Sequence, residues 1–145
     1  MPNMREMVMK GNFIEQEIPV DICGATRQLW LPVLNLNLIN GTIPPTLSNC
    51  SSLKWLTFSN SNNRLTSHIP SELGLMPRIN FLHLNNNSLS DTILPTLGNS
   101  KYLSWVDLRG NELDGAGEVV MRHRKLFVVR KIFHYTFFGL KGALN

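Results

Sequence analysis

The chain has 145 residues, of which 43% are apolar and 17% charged, a balance that permits a folded core and excludes an intrinsically disordered protein. Its net charge of +4 is unevenly placed, because six of the 14 Lys and Arg residues follow Met121 and no Asp or Glu follows Glu118. The basic character therefore belongs to the C-terminal segment, and no nucleic-acid partner is expected.

Taken in chain order, the sequence is dominated by a repeated phrase of apolar and polar residues. The phrase is LKWLTF from Leu53, INFLHL from Ile79 and LSWVDL from Leu103, so the copies start 26 and then 24 residues apart. Extending this spacing towards the N-terminus gives weaker copies that open near Met4 and Leu29. A period of about 20 to 29 residues with this pattern is typical of leucine-rich repeats. We interpret residues 1–121 as five such turns.

An asparagine follows each phrase, three residues after its end in four copies and five residues after its end at Asn63. Its side-chain amide can both donate and accept hydrogen bonds, so it can satisfy backbone groups that are left unpaired where the chain turns away from a strand. We expect a structural ladder with one asparagine per turn, formed by Asn12, Asn37, Asn63, Asn87 and Asn111.

The second half of each turn carries a further pattern, GTIPPTLS from Gly41 and SHIPSELG from Ser67, with a third copy, DTILPTLG, from Asp91. In these three segments the chain resembles the plant-type leucine-rich repeat, whose pattern adds Gly-x-Ile-Pro-x-x-Leu-Gly after the Asn. The resemblance implies an α/β-type solenoid. Such a solenoid is a right-handed superhelix with a parallel β-sheet on the concave face and mostly coil and 3-10 helix on the convex face.

The C-terminal segment, residues 122–145, departs from this pattern. The next repeat position falls on Phe127, and Arg130 stands where an apolar residue is expected. We predict a degenerate sixth turn, or cap, that covers the open end of the core, since an uncovered strand edge invites aggregation. The alternatives are a basic apolar tail unrelated to the repeats and a segment that lies on a membrane surface.

Side chains on a strand alternate between its two faces, so the outward positions of successive strands form columns. One column carries three aromatic residues in adjacent turns, and the neighbouring columns are polar. Exposed aromatic residues flanked by polar groups are typical of binding surfaces. We predict a ligand-binding surface that consists of Trp55, Phe81, His83, Trp105, Asp107 and Arg109. The alternative is that the aromatic column packs against the chain entering from the convex side.

Asp107 and Arg109 stand two residues apart on the same strand face. The planar guanidinium of Arg109 can grip a carboxylate of a ligand, or the two residues can neutralise one another, and we favour the pair. In related plant receptors, two arginines on one strand hold the terminal carboxylate of a peptide. Asp107 occupies one of those two places in this sequence.

The two cysteines are Cys23 and Cys50. Cys50 stands where the repeat expects its leading Leu, which predicts a buried free thiol. Cys23 is offset from the corresponding position of the preceding turn by about three residues, so a disulfide is allowed but not favoured. Three Asn-x-Ser/Thr sequences give weak support for a secretory origin, and their glycosylation candidates are Asn40, Asn49 and Asn86.

The sequence contains no metal-ligand spacing such as His-Glu-x-x-His, no nucleophile elbow and no kinase signature. We therefore expect no enzyme, no catalytic residue, no metal and no cofactor. The resemblance implies instead the ligand-binding part of a plant receptor-like protein or receptor-like kinase. Such a part takes a peptide or protein ligand on its concave face and is extracellular, either at the plasma membrane or secreted.

The first residues contain no apolar run of signal-peptide length. The sequence also contains no run of 18 or more uncharged apolar residues that could span a membrane, so membrane attachment is expected only through segments absent from this chain. Two alternatives stay open. One is a stand-alone secreted inhibitor of an extracellular enzyme, similar to the polygalacturonase-inhibiting proteins. The other is a truncated fragment without function.

Overall fold

The computed structural model describes residues 5–24, 28, 30–59, 63–91, 95–114 and 127–129. Its strands are short and follow one another at the repeat spacing. They are β1 (Glu6–Val8), β2 (Leu31–Val33), β3 (Trp55–Thr57), β4 (Thr66–Ser67), β5 (Phe81–His83), β6 (Ser88–Leu89), β7 (Trp105–Asp107) and β8 (Phe127–Val129). Six of them form one parallel sheet in the order β1-β2-β3-β5-β7-β8, and β4 pairs with β6 in a second, two-stranded parallel sheet.

The pairing of the central strands follows the repeat without slippage. Trp55 pairs with Phe81, and Phe81 pairs with Trp105, so equivalent residues of successive turns stand side by side. Because the side-chain period of a strand is two, this register keeps the same column of each turn on the same face of the sheet. The predicted solenoid with a parallel sheet along one side is confirmed.

In the second, third and fourth turns, the opposite side consists of coil and one 3-10 helix. The helices are η1 (Pro45–Asn49), η2 (Ser71–Leu75) and η3 (Pro95–Asn99). Pro44 and Pro70 precede η1 and η2 in extended conformations with φ of −70° and −59°, which the proline ring fixes in advance. Gly74 lets η2 and η3 approach closely, because a Cβ there would overlap the backbone carbonyl of Thr96.

The core lies between the sheet and these helices. The middle residue of each central strand points inward, and Leu56, Leu82 and Val106 are each only 1% exposed. Full burial of such a side chain contributes about 1.5–3 kcal/mol. In the first turn, by contrast, the apolar residues Met7, Met9, Ile14 and Ile22 are only partly buried. The best-packed region is therefore the middle of the array.

The asparagines at the predicted ladder positions join each turn to the one before it. In Asn37, Asn63, Asn87 and Asn111, the side-chain oxygen accepts a backbone N–H of the preceding turn at 3.0–3.2 Å. The amide nitrogen donates to one carbonyl of its own turn and one of the preceding turn at 2.8–3.2 Å. Asn12, in the first turn, is exposed, and its side-chain amide donates to Lys10 O at 3.3 Å.

A left-handed residue precedes several of these asparagines. Gly11, Leu36, Asn86 and Gly110 have φ of 71°, 57°, 57° and 66°, and each is followed by a ladder Asn. Positive φ costs little for Gly and Asn but about 1–2 kcal/mol for a residue such as Leu. The turn away from the strand is therefore strained at Leu36.

The expectation of a free thiol at Cys50 is wrong. Cys23 and Cys50 form a disulfide with their Cα atoms 5.3 Å apart, and both residues are buried. The separation of 27 residues exceeds the repeat period, but hydrogen bonds from Ile22 N to Pro19 O and from Gly24 N to Asp21 O fold residues 19–24 into tight turns. This compaction brings Cys23 to the next turn.

Strand β8 extends the sheet beyond the fifth turn. It pairs with β7 so that Phe127 stands opposite Trp105, two residues earlier than the repeat period predicts. A shift of two keeps the alternation of the strand and gives Val128, rather than the Arg130 expected from the period, the register position next to Val106. Apart from β8, the cap or tail predicted for residues 122–145 lies outside the described residues.

Candidate functional site

The outer face of the sheet carries two rows of side chains that run across the strands. The first residues of β3, β5 and β7 form an aromatic row of Trp55, Phe81 and Trp105. The third residues of the same strands form a central row of Thr57, His83 and Asp107. Neighbouring members of a row belong to adjacent strands about 4.8 Å apart.

An open groove of about 530 Å³ lies on this face, and we refer to it as the sheet groove. Its walls are the aromatic row, part of the central row and the residues that follow the strands. The lining residues are Asn35, Trp55, Ser59, Phe81, His83, Asn85, Trp105, Asp107 and Arg109. All six residues of the predicted surface therefore meet in one groove.

Two rings of the aromatic row stack on each other. The ring centroids of Trp55 and Phe81 are 4.1 Å apart, with planes inclined by 29°. Phe81 also meets His83 edge to face, with centroids 6.5 Å apart. Trp55 remains 40% exposed, and Phe81 and Trp105 are half-buried. Trp55 and Phe81 are thus held in place by ring contacts of about 0.5–1.5 kcal/mol each, and the row keeps apolar surface available.

Asp107 and Arg109 form a bidentate ion pair. Arg109 Nε donates to Asp107 Oδ1 at 2.9 Å, and Nη2 donates to Oδ2 at 2.6 Å. The backbone N–H of Arg109 also donates to Oδ1 at 3.2 Å. The side chain of Asp107 is 7% exposed and that of Arg109 is 39% exposed. The hydrogen bond to Asp107 raises the pKa of Arg109 above its usual value, so the cation persists at every physiological pH.

His83 lies beside this pair with its Nε2 atom covered and without a hydrogen-bond partner among the described residues. Burial lowers the pKa of His83, and Asp107 partly opposes this effect while Arg109 reinforces it. The imidazole is therefore neutral at pH 7, since its pKa is below the usual value of about 6.5.

Three lining residues were not selected by the sequence analysis: Asn35, Ser59 and Asn85. Each occupies the same position in its turn as Arg109 does in the fifth turn. The Asn35 side-chain oxygen accepts from Thr57 Oγ1 at 2.7 Å and from Ser59 N at 3.0 Å, which joins two turns at the floor of the groove. The shared position with Arg109 was the signal that could have found them.

The three candidate glycosylation asparagines are exposed, outside the sheet groove. The Asn40 amide donates to Glu15 O at 3.0 Å. Asn49 ends η1 on the convex side. Asn86 lies against Gly110, where a Cβ would overlap its side-chain oxygen.

Within the described residues, no helix is both long and apolar enough to cross a membrane. The described part of the chain also holds no group of three or more His, Cys, Asp or Glu side chains arranged for a metal ion.

Comparison with known proteins agrees with this architecture. Residues 78–100 match the Leucine Rich Repeat family. No curated protein matches significantly.

Among solved structures, the plant peptide hormone receptor RGFR1 in complex with RGF2 is 32% identical, with a TM-score of 0.71 over 76% of this chain and 17% of that one. The BIR3–SERK2 complex of Arabidopsis thaliana matches at 28% identity and a TM-score of 0.66, over 75% of this chain and 58% of that one. The ectodomain of the receptor kinase SOBIR1 from the same plant shares the fold at 22% identity and a TM-score of 0.71, over 85% and 67% of the two chains. The chain spans about a sixth of the RGFR1 receptor chain.

Proposed function

We propose, from the premise that this chain is a leucine-rich repeat protein of the plant type, that its sheet groove binds a peptide or protein ligand. The function is recognition without catalysis, as part of a receptor-like protein or receptor-like kinase. Among the structures named above, similar repeats occur in a peptide hormone receptor in complex with RGF2 and in the BIR3–SERK2 complex.

The observation that carries this proposal is the aromatic row inside a preformed groove. Trp55 is 40% exposed although its ring is already stacked on Phe81. The position is therefore ordered before any ligand arrives, which reduces the entropy lost on binding. Aromatic residues at the centre of an interface, bordered by polar groups, supply most of the binding energy in many complexes.

An extracellular location, at the plasma membrane or secreted, is part of the same proposal. The Cys23–Cys50 disulfide supports it, because disulfides persist in oxidising compartments and are rare in the cytosol. The exposed asparagines at positions 40, 49 and 86 are available as glycan acceptors on this view. We further propose that residues 1–121 are the five recognition turns and that residues 122–145 are a cap or tail.

The test is selection of a displayed library of random 12-residue peptides on the oxidised, full-length chain. Enriched peptides are then titrated against Trp55→Ala and Phe81→Ala variants. We expect each substitution to weaken binding by about tenfold or more, the effect of removing a central aromatic contact.

The matched control is Leu75→Ala, which removes an apolar side chain that is 72% exposed and lies on η2, on the opposite side of the solenoid. Its affinity should stay within about twofold of that of the unmodified chain. Peptides that bind all three variants equally well would place the binding surface elsewhere and overturn the proposal.

A further inference from the structure

We propose that the sheet groove takes an uncharged segment of an extended peptide, and that Asp107 sets this specificity by occupying the guanidinium of Arg109. The inference rests on the proposed function and names the class of ligand for the same groove. It predicts that a free terminal carboxylate is not the group by which a ligand is held.

The ion pair leaves no unopposed charge in the groove. Both oxygens of Asp107 accept hydrogen bonds from Arg109, and Nε and Nη2 of Arg109 are both directed at that carboxylate. A bidentate, short pair of this kind is the geometry in which a guanidinium interacts most strongly with a carboxylate. An incoming carboxylate would have to displace Asp107 or approach it closely.

The other side chains of the groove are neutral. The aromatic row carries no charge, and neither do Asn35, Ser59 and Asn85. His83 stays neutral at pH 7 because burial favours its uncharged form. Apart from Asp107 and Arg109, the charged residues at the equivalent positions of the described turns are Glu6 and Lys10 of the first turn, which lie outside the groove lining.

Neutral surroundings penalise a charged ligand group. A carboxylate or ammonium that leaves water for the groove loses hydration and gains no partner of opposite charge. Specificity of this kind comes from what the site rejects as well as from what it attracts. The groove therefore discriminates against peptide termini and acidic side chains.

The free donors of the groove suit peptide carbonyl groups instead. The Nδ2 group of Asn35 and the Nη1 group of Arg109 donate no hydrogen bond to any described residue. The strands that precede these two residues are β2 and β7, three strand spacings or about 14 Å apart. An extended peptide covers this distance in about four residues. Such a segment can lay apolar side chains on the aromatic row while two of its carbonyls reach the donors.

The experiment uses the peptides selected above, each synthesised with a free C-terminal carboxylate and as the C-terminal amide, both with an acetylated N-terminus. The unmodified chain should bind the acid and amide forms with affinities within about threefold of each other. The Asp107→Asn variant, in which Arg109 loses its carboxylate partner, should prefer the acid form by about tenfold or more, because charge-assisted hydrogen bonds are the strong ones.

A second variant guards against a folding defect in Asp107→Asn. Arg109→Gln removes the cation and leaves the Asp107 carboxylate without its partner, so this variant should bind the acid form no better than the amide form. Circular dichroism of both variants establishes that they are folded before binding is compared.

Three outcomes overturn the inference. They are a preference of the unmodified chain for acid forms, a preference of Arg109→Gln for acid forms, and an unchanged acid-to-amide ratio in folded Asp107→Asn. The first two leave groove binding intact and refute only the ligand class. Peptides that bind without dependence on Trp55 and Phe81 refute the proposed function itself, and this inference with it.

Discussion

Replacement of Asn87 by Ala tests how much one ladder residue contributes to stability. Asn87 is 8% exposed and makes three hydrogen bonds: it accepts from Leu65 N at 3.2 Å and donates to Phe58 O and Leu84 O at 3.1 and 3.0 Å. The two carbonyls keep a second partner after the change, since Asn63 and Asn111 also donate to them. Only the Leu65 N–H is left buried and unpaired.

The magnitude follows from these three bonds. An orphaned buried N–H costs about 1–3 kcal/mol, and each of the two other lost bonds costs about 0.5–1.5 kcal/mol. We therefore expect Asn87→Ala to lower the free energy of unfolding by about 2–6 kcal/mol, a large part of the 5–15 kcal/mol typical of a domain.

The assay is urea unfolding of the oxidised chain, followed by tryptophan fluorescence and circular dichroism. Asn12→Ala is the matched control, because Asn12 is exposed and its amide makes one hydrogen bond of 3.3 Å. That variant should lose no more than about 0.5 kcal/mol. A loss in Asn87→Ala as small as the loss in Asn12→Ala would refute the idea that the ladder holds the turns together.

Three further predictions concern stability. Leu36→Gly should raise the free energy of unfolding by about 0.5–1 kcal/mol, because φ at Leu36 is 57°; Leu75→Gly, a change in η2 without positive φ, should lower it in the same urea assay. Cys50→Ser should lower the free energy of unfolding by about 3.5 kcal/mol, the chain-entropy value for a loop of 27 residues. Reducing agent should have no further effect on the unfolding midpoint of this variant. The free energy of unfolding should fall as the pH is lowered below about 6.5, because His83 takes up a proton in the unfolded chain but not in the folded one, where its pKa is lowered. If the unfolding free energy of His83→Asn shows the same slope against pH, another group is responsible.

The fold was accessible from the sequence because its physical cause is periodic. The strand sequences recur at nearly constant spacing. This spacing predicts the parallel sheet and the inward column of Leu56, Leu82 and Val106. The match to plant-type repeats is confirmed by the family and structure comparisons. The ligand-binding role of the six selected residues stays a prediction.

The features that the repeat period did not predict depend on local departures from that period. The disulfide requires the tight turns of residues 19–24. These turns place Cys23 against Cys50 although the two cysteines do not occupy equivalent positions of their repeats. Asp107, at an outward position, is buried, and Arg109 folds back onto its carboxylate. Side-chain rotamers of this kind are set by contacts with neighbouring residues. The residue types at equivalent positions of successive turns do not specify them.

The bonds of the ladder also bear on how such a chain can be rebuilt. The side chains of Asn37, Asn63, Asn87 and Asn111 hydrogen-bond backbone groups of their own turn and of the previous one. A whole turn can therefore be duplicated, deleted or exchanged at equivalent positions without loss of partners at the junction. A cut and splice between Leu53 and Ile79 joins two backbones that already present the same donors and acceptors. In such an array, recombination in units of one turn changes the length and the surface of the molecule while each junction stays compatible.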